Sequence, residues 1–311
     1  MDRRLLDLYN RELAYLRTMG AEFAKEFPKI AGRLGGLDEF QPCRDPFVER
    51  LLEGFAFLAA RVQLKLNAEF PRFTQSLLET IYPYYLAPTP SACIVQFEPD
   101  LKETGLADGF LIPRGSSLFS TLGKGEQTRC EYRTAHEVNL WPIQVQQANY
   151  YTRELASLEV PNIPEVKAGI RLRIQSPAGL KISELKLDSL TLHLMGAGET
   201  PMHLYEQFFA NSVAVVVQDA AKPVKWKNIL DVSCIRCAGF DSRQKLLPYD
   251  SRSFEGYRLL HEYFAFPQRF MFVELTNLNN AIKHCEVNEL DIVVLFNKAK
   301  LGLETSISRN N

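Results

Sequence analysis

From residue 3 onward, apolar positions recur at helical spacing. Leu5, Tyr9, Leu13, Leu16, Phe23 and Phe27 stand three, four or seven apart, with Arg, Asp and Glu between them. That pattern predicts an amphipathic helix ended by Pro28. Gly32, Gly35, Gly36 and Pro42 then mark a loop. Asp45-Pro46 reads as a helix start. The carboxylate can accept from the first free N–H groups, and proline sits where no N–H is needed. Val48, Leu51, Leu52, Phe55, Leu58, Val62 and Leu66 follow as one apolar stripe. Gly54 interrupts it at a cost of about 1 kcal/mol relative to alanine, so close approach of another backbone is expected there. Pro71 predicts a break, with a third, shorter helix over Thr74–Tyr82 that stops at Pro83.

The period changes after Leu86-Ala87-Pro88-Thr89-Pro90. Two prolines in three residues favour an extended linker. The expected division is a helical segment, 1–87, and a β-rich region, 88–311, open to two subdomains. The fold class is therefore α+β, with a few short helices among the strands. Cys93–Phe97 predicts a strand, and so does Leu140–Val145, pushed to a sheet edge by Pro142. Ile170, Leu172 and Ile174 alternate with Arg171 and Arg173, and Leu190, Leu192 and Leu194 repeat the pattern, so each has a wet face. Val213–Val217 is a continuous apolar run, the mark of a buried strand. Phe270–Leu275 and Leu290–Phe296 are late strands. Short helices are expected from Thr200 to Phe209 and from Phe254 to Phe264, the second stopped by Pro267.

Composition narrows the function. The chain has 311 residues, 36 Lys and Arg against 37 Asp and Glu, and a net charge of -1. Balanced charge argues against a general nucleic-acid or membrane-surface binder. Twenty Phe and 12 Tyr supply material for a large core or for interfaces. The start, Met1 to Asn10, has no long apolar run, and no stretch approaches a membrane span, so a reduced, cytoplasmic setting without membrane insertion is expected.

Candidate chemistry is thin. Cys234 and Cys237 have redox or half-zinc spacing, but the downstream His261, His284 and Cys285 repeat no ligand pattern. On a strand through Val232–Ile235 the two thiols would point to opposite faces. A metal-binding protein or enzyme using this pair is the alternative reading. Gly196-Ala197-Gly198 and Gly123-Lys124-Gly125 lack the spacing of phosphate-binding loops. No two of the five histidines have metal spacing, and no catalytic or cofactor-binding residue is indicated. The aromatic-rich faces of the helical segment say more. They can close on each other, or they can pack with helices of another chain.

Longer motifs carry a resemblance. Tyr9-Asn10-Arg11-Glu12-Leu13 leads into Glu22-Phe23-Ala24-Lys25-Glu26-Phe27-Pro28-Lys29-Ile30-Ala31-Gly32-Arg33-Leu34. Asp45-Pro46, Val48 to Leu58, Glu69-Phe70-Pro71-Arg72-Phe73 and Tyr85 to Ser91 follow in order. Later come Phe110 to Gly115, Leu247-Pro248-Tyr249, Ser253 to Leu260 and Glu262-Tyr263-Phe264-Ala265-Phe266-Pro267. The series resembles the TssF family, baseplate components of the bacterial type VI secretion system. His261 stands where that family suggests glutamine, and the family is considerably longer than this chain, so its C-terminal half cannot be transferred.

The resemblance implies a scaffold, not an enzyme, similar to the wedge proteins of contractile phage baseplates. It implies no cofactor. It implies as partners TssG, a second TssF copy, TssK, TssE, the spike hub, and sheath and tube components. It places the protein in the cytoplasm, on the inner-membrane-associated secretion apparatus. The candidate partner interface or bundle core is Leu13, Leu16, Phe23, Leu51, Phe55, Leu58 and Val62.

Overall fold

The computed structural model describes residues 2–37, 43–101, 105–123, 125, 127–177 and 179–309. Pro42, Lys124 and the terminal Asn310-Asn311 lie outside them. Contacts divide the chain into two compact units, 1–87 and 88–311.

The first unit is a helical hairpin. α1 (Arg3–Glu26) starts at Asp2, whose carboxylate accepts from the Arg4 N–H at 3.0 Å. It ends before Pro28, as the pattern predicts. The expected loop then begins with a helix, α2 (Pro28–Arg33), because Pro28 sits where its missing N–H costs nothing. Asp45 caps α3 (Pro46–Ile81) through the Phe47 N–H. Here the expected break fails, since α3 runs through Pro71 for 36 residues. Proline removes one hydrogen bond, and Asn67, whose carbonyl loses it, is exposed to water. At 36 residues against 24, α3 is about 18 Å longer than α1.

Small residues seat the hairpin. Ala56 and Ala60 on α3 and Ala21 on α1 are buried, and the two helices pack on each other. Gly54 faces open space: a Cβ added there would meet no heavy atom within 4 Å. The close backbone approach expected at that position is thus not made among the described residues.

The second unit is built from strands. Its first strands form two antiparallel pairs, β1 (Phe110–Ile112) with β4 (Val138–Leu140) and β2 (Ser117–Phe119) with β3 (Glu131–Arg133). These pieces of three residues are too short to show a period. Gly109 precedes β1 with φ 79°, and the Trp141 ring lies so close that a Cβ would clash with it. Cys93–Phe97 belongs to no strand ladder, so that expectation is corrected: β propensity needs a partner to become a sheet. Leu140–Val145 is likewise not one strand. Pro142 separates β4 from β5 (Gln144–Tyr151), which lies at a sheet edge.

The main sheet has five antiparallel strands in the order β5, β6 (Ala168–Gln175), β12 (Glu289–Phe296), β8 (Ser212–Asp219) and β9 (Lys227–Leu230). Alternation in β6 is as predicted: Ile170, Leu172 and Ile174 are buried, and Arg171 and Arg173 are half-buried. Arg173 faces Asp291 across the ladder in a two-pronged ion pair, 2.7 and 2.8 Å. β12 is central and buried on both faces, which explains its apolar run from Ile292 to Phe296.

On one face, α4 (Thr200–Ala210) supplies Leu204 and Phe208 to the core, and α6 (Leu278–Ile282) supplies Leu278, Ala281 and Ile282. A three-stranded sheet, in the order β10 (Ile235–Cys237), β11 (Phe272–Leu275) and β7 (Leu190–His193), joins the same core through Ile235, Val273 and Leu275. Leu158, Val216, Val293 and Leu295 fill the opposite side. α5 (Glu255–Ala265) follows the loop after β10, and α7 (Leu301–Ser306) ends the described chain.

Candidate functional site

The α3 helix has two apolar faces. Leu51, Phe55, Leu58 and Val62 lie about 100–160° round the axis from the buried Ala56. They are exposed by 74, 62, 57 and 60 %. Phe47, Leu66, Phe70 and Phe73 extend the exposed apolar surface along the same helix. Of the other predicted positions, Leu13 and Leu16 are half-buried on α1, and Phe23 is exposed with its ring against Phe27. The seven residues therefore do not form one core. Five present themselves to solvent, and two belong in part to the hairpin.

A partly buried ion pair fixes the base of α3. Glu49 accepts from Arg17 at 2.5 Å and from the Cys43 N–H at 2.8 Å. The Cys43 thiol donates to the Leu34 carbonyl at 3.2 Å, tying down both ends of the intervening loop. Burial pushes the Glu49 carboxyl up, but the Cys43 N–H and Arg17 outweigh it, and its pKa falls below the ordinary 4.5. A lowered folded pKa gives stability that is whole above the unfolded value and is lost as pH falls through the folded one. The urea midpoint of helix unfolding should therefore drop on acidification below about pH 4.5. Glu49→Gln should flatten this dependence; an unchanged pH profile in that variant would deny Glu49 the role.

The thiol reading finds no assembled site. Val232–Cys234 is a 3-10 turn, not the expected strand, and only Ile235–Cys237 is extended. Asp231 sets the turn by accepting from the Ser233 N–H. Cys234 is buried in the core, and burial raises its pKa, whereas Cys237 is exposed. Among the described residues, no three His, Cys, Asp or Glu side chains gather as metal ligands. His193 packs its ring on Phe272, centroids 4.6 Å apart, and burial lowers its pKa.

One cluster escapes the sequence pattern altogether. α5 buries Arg258 and Glu262 completely. Glu262 accepts from the Leu246 and Leu247 N–H groups at 2.9 Å each and from Arg258 at 3.0 Å, and it pairs with Arg269. Arg258 also donates to Glu255, and Arg269 to the Gly239 and Gln244 carbonyls. Burial, then repulsion from Arg258, lowers the Arg269 pKa to about 10, so it stays cationic at neutral pH. The sequence signal was the Glu255, Arg258, Glu262 spacing, which reads equally well as a solvated helix face.

Among the described residues, no helix is long and apolar enough to cross a membrane. The structure is similar to a chain of the type VI secretion system TssK-TssF-TssG baseplate subcomplex solved by cryo-electron microscopy. The TM-score is 0.64 at 25 % identity, over 84 % of this chain and 46 % of that one. The sequence is 53 % identical to type VI secretion system component TssF1 of Pseudomonas aeruginosa over 309 residues, 99 % of this chain and 49 % of that protein. The chain thus spans about half the length of this curated relative. The family model described as type VI secretion system, TssF, matches residues 1–311, and the chain belongs to that family.

Proposed function

We propose that the chain is a structural, non-enzymatic subunit of a type VI secretion baseplate wedge, joined to its neighbours through the exposed face of α3. The observation that carries this is the row Leu51, Phe55, Leu58 and Val62, all largely exposed on a helix already seated by its other face. Apolar surface of this extent marks an interaction site. Buried in a bundle, each large side chain contributes about 1.5–3 kcal/mol, less the ordering cost of association.

The similarity to the TssK-TssF-TssG subcomplex supports TssG and TssK as the partners. A second TssF copy, TssE, the spike hub, and sheath and tube components stand further out in the same reading. The setting is the cytoplasm, at the inner-membrane-associated apparatus. The work required is mechanical: a joint that holds its geometry while a sheath contracts. No cofactor enters it.

Co-expression with a TssG-family chain tests this. A stoichiometric complex by size exclusion with light scattering is expected, with α3 amides protected from exchange. Two independent chains with no mutual stabilisation would overturn the reading.

A further inference from the structure

We infer that a pocket at the end of the main sheet binds an α-carboxylate with an N–H group beside it, the chemistry shared by a free amino acid and the end of a peptide chain.

The pocket lies where β6 enters the sheet, β12 leaves it and β8 begins. Its volume is about 480 Å³, an ordinary size for a small-ligand site, and it is lined by Glu165, Lys167, Asn211, Asn297 and Lys298. The ladder register sets three of these abreast. Phe296 pairs with Ala168 on one side and with Ser212 on the other, so the next level holds Lys167, Asn297 and Asn211. Backbone bonds lock that level in place. The Lys167 N–H donates to the Phe296 carbonyl at 2.8 Å, and the Asn297 N–H donates to the Asn211 carbonyl at 2.9 Å. In β12, Val294, Leu295 and Phe296 are fully buried. One residue further on, all three strands supply a polar side chain to the same cavity.

That lining has unused hydrogen-bonding capacity. Asn211 is only 8 % exposed, yet its side-chain N–H donates no more closely than 3.5 Å, to the Glu206 carbonyl, at the outer limit for such a bond. The Asn297 carboxamide, the Lys167 ammonium and the Glu165 carboxylate have no protein partner among the described residues. Lys298 reaches Glu206 at 3.7 Å, but Lys300 already holds that carboxylate at 2.8 Å. A nearly buried amide that is poorly paired is costly, and a ligand with the complementary atoms removes the cost. Glu165 has φ 69°, in the left-handed region that favours glycine. The lining thus keeps a carboxylate at a position the backbone would give to glycine.

The mixture of groups selects the ligand. Two ammonium groups and two carboxamide N–H groups suit a carboxylate. Glu165 and the carboxamide oxygens are acceptors, and they need a donor from the ligand. Inorganic phosphate, rich in acceptors and poor in donors, leaves them facing oxygen. An α-carboxylate next to an N–H group satisfies both sets at once.

The test is calorimetric titration of the whole chain with four probes. They are alanine, N-acetyl-trialanine with a free carboxylate, the same peptide ending in an amide, and inorganic phosphate. Alanine or the free-carboxylate peptide should bind with a Kd of about 1 mM or below. The better of the two should bind at least about tenfold more tightly than the amide-capped peptide and than phosphate. Preference for alanine identifies the ligand as a free amino acid, and preference for the peptide identifies it as a chain end. Lys167→Gln should lose at least about tenfold in affinity. Lys225→Gln, at an exposed lysine in the connection between β8 and β9, should not. Glu165→Gly should fold at least as stably, because it relieves the backbone, and should narrow the preference over phosphate. Thermal unfolding of each variant checks that it is folded. Absent binding, equal affinity for the amide-capped peptide or for phosphate, or binding that survives Lys167→Gln would overturn the inference. None of these results bears on α3, so the proposed function would stand or fall separately.

Discussion

Replacing Leu51 and Phe55 together by glutamate will leave the chain folded and, under the proposed wedge role, abolish complex formation with a TssG-family chain. Both side chains are more than half exposed, so the free chain loses no core contact. In a bundle the same positions would have to bury two carboxylates without partners. Loss of the apolar contribution alone is about 3–6 kcal/mol for two large side chains, or two to four orders of magnitude in affinity. The charge penalty adds to that. Co-purification against the unmodified chain reads the effect, and unchanged far-UV ellipticity confirms the fold. A double variant that still yields a stoichiometric complex would remove α3 from the interface.

The second large effect is on stability. Glu262→Ala will lower the unfolding midpoint of the β-rich unit more than any exposed substitution discussed above. It leaves Arg258 and Arg269 buried side by side and takes the acceptor from the Leu246 and Leu247 N–H groups. Breaking one partner out of a buried ion pair costs about 3–5 kcal/mol. For a unit of this size that corresponds to a fall of roughly 6–20 °C. Glu255→Ala, at the exposed end of the same network, should cost well under half as much. Equal shifts for the two would show that Glu262 does not organise the cluster.

These two sites differ in how far the sequence discloses them. The α3 stripe is visible as a period of apolar residues, because a helix face is a local property. Whether that face is covered depends on what else the chain places against it, and no local pattern records that. The small residues that seat the hairpin, Ala56 and Ala60, carry so little apolar surface that the larger stripe beside them dominates any reading by spacing.

Strands behave similarly. β6 and β8 are legible because alternation and the unbroken apolar run Val213–Val217 follow directly from one or two buried faces. Cys93–Phe97 has the composition of a strand but no ladder partner, and pairing is a long-range fact. Pro71 misleads for an energetic reason: a long helix absorbs one lost hydrogen bond where water can replace it. α5 was legible as a helix and illegible as a site, since hydropathy assigns its charged face to solvent and the structure does the opposite.

Gly54 is a position where the free chain and the proposed bundle make different demands. It sits beside the exposed stripe of α3 with open space around it, where alanine would favour the helix by about 1 kcal/mol. A subunit selected for its own melting temperature would have alanine there. Thermostabilising the isolated chain by helix propensity would begin with that substitution. Under the bundle reading it would fill the gap that lets a neighbouring backbone come close. Resistance to heat in the free subunit and fidelity of the assembled machine would then pull this position in opposite directions.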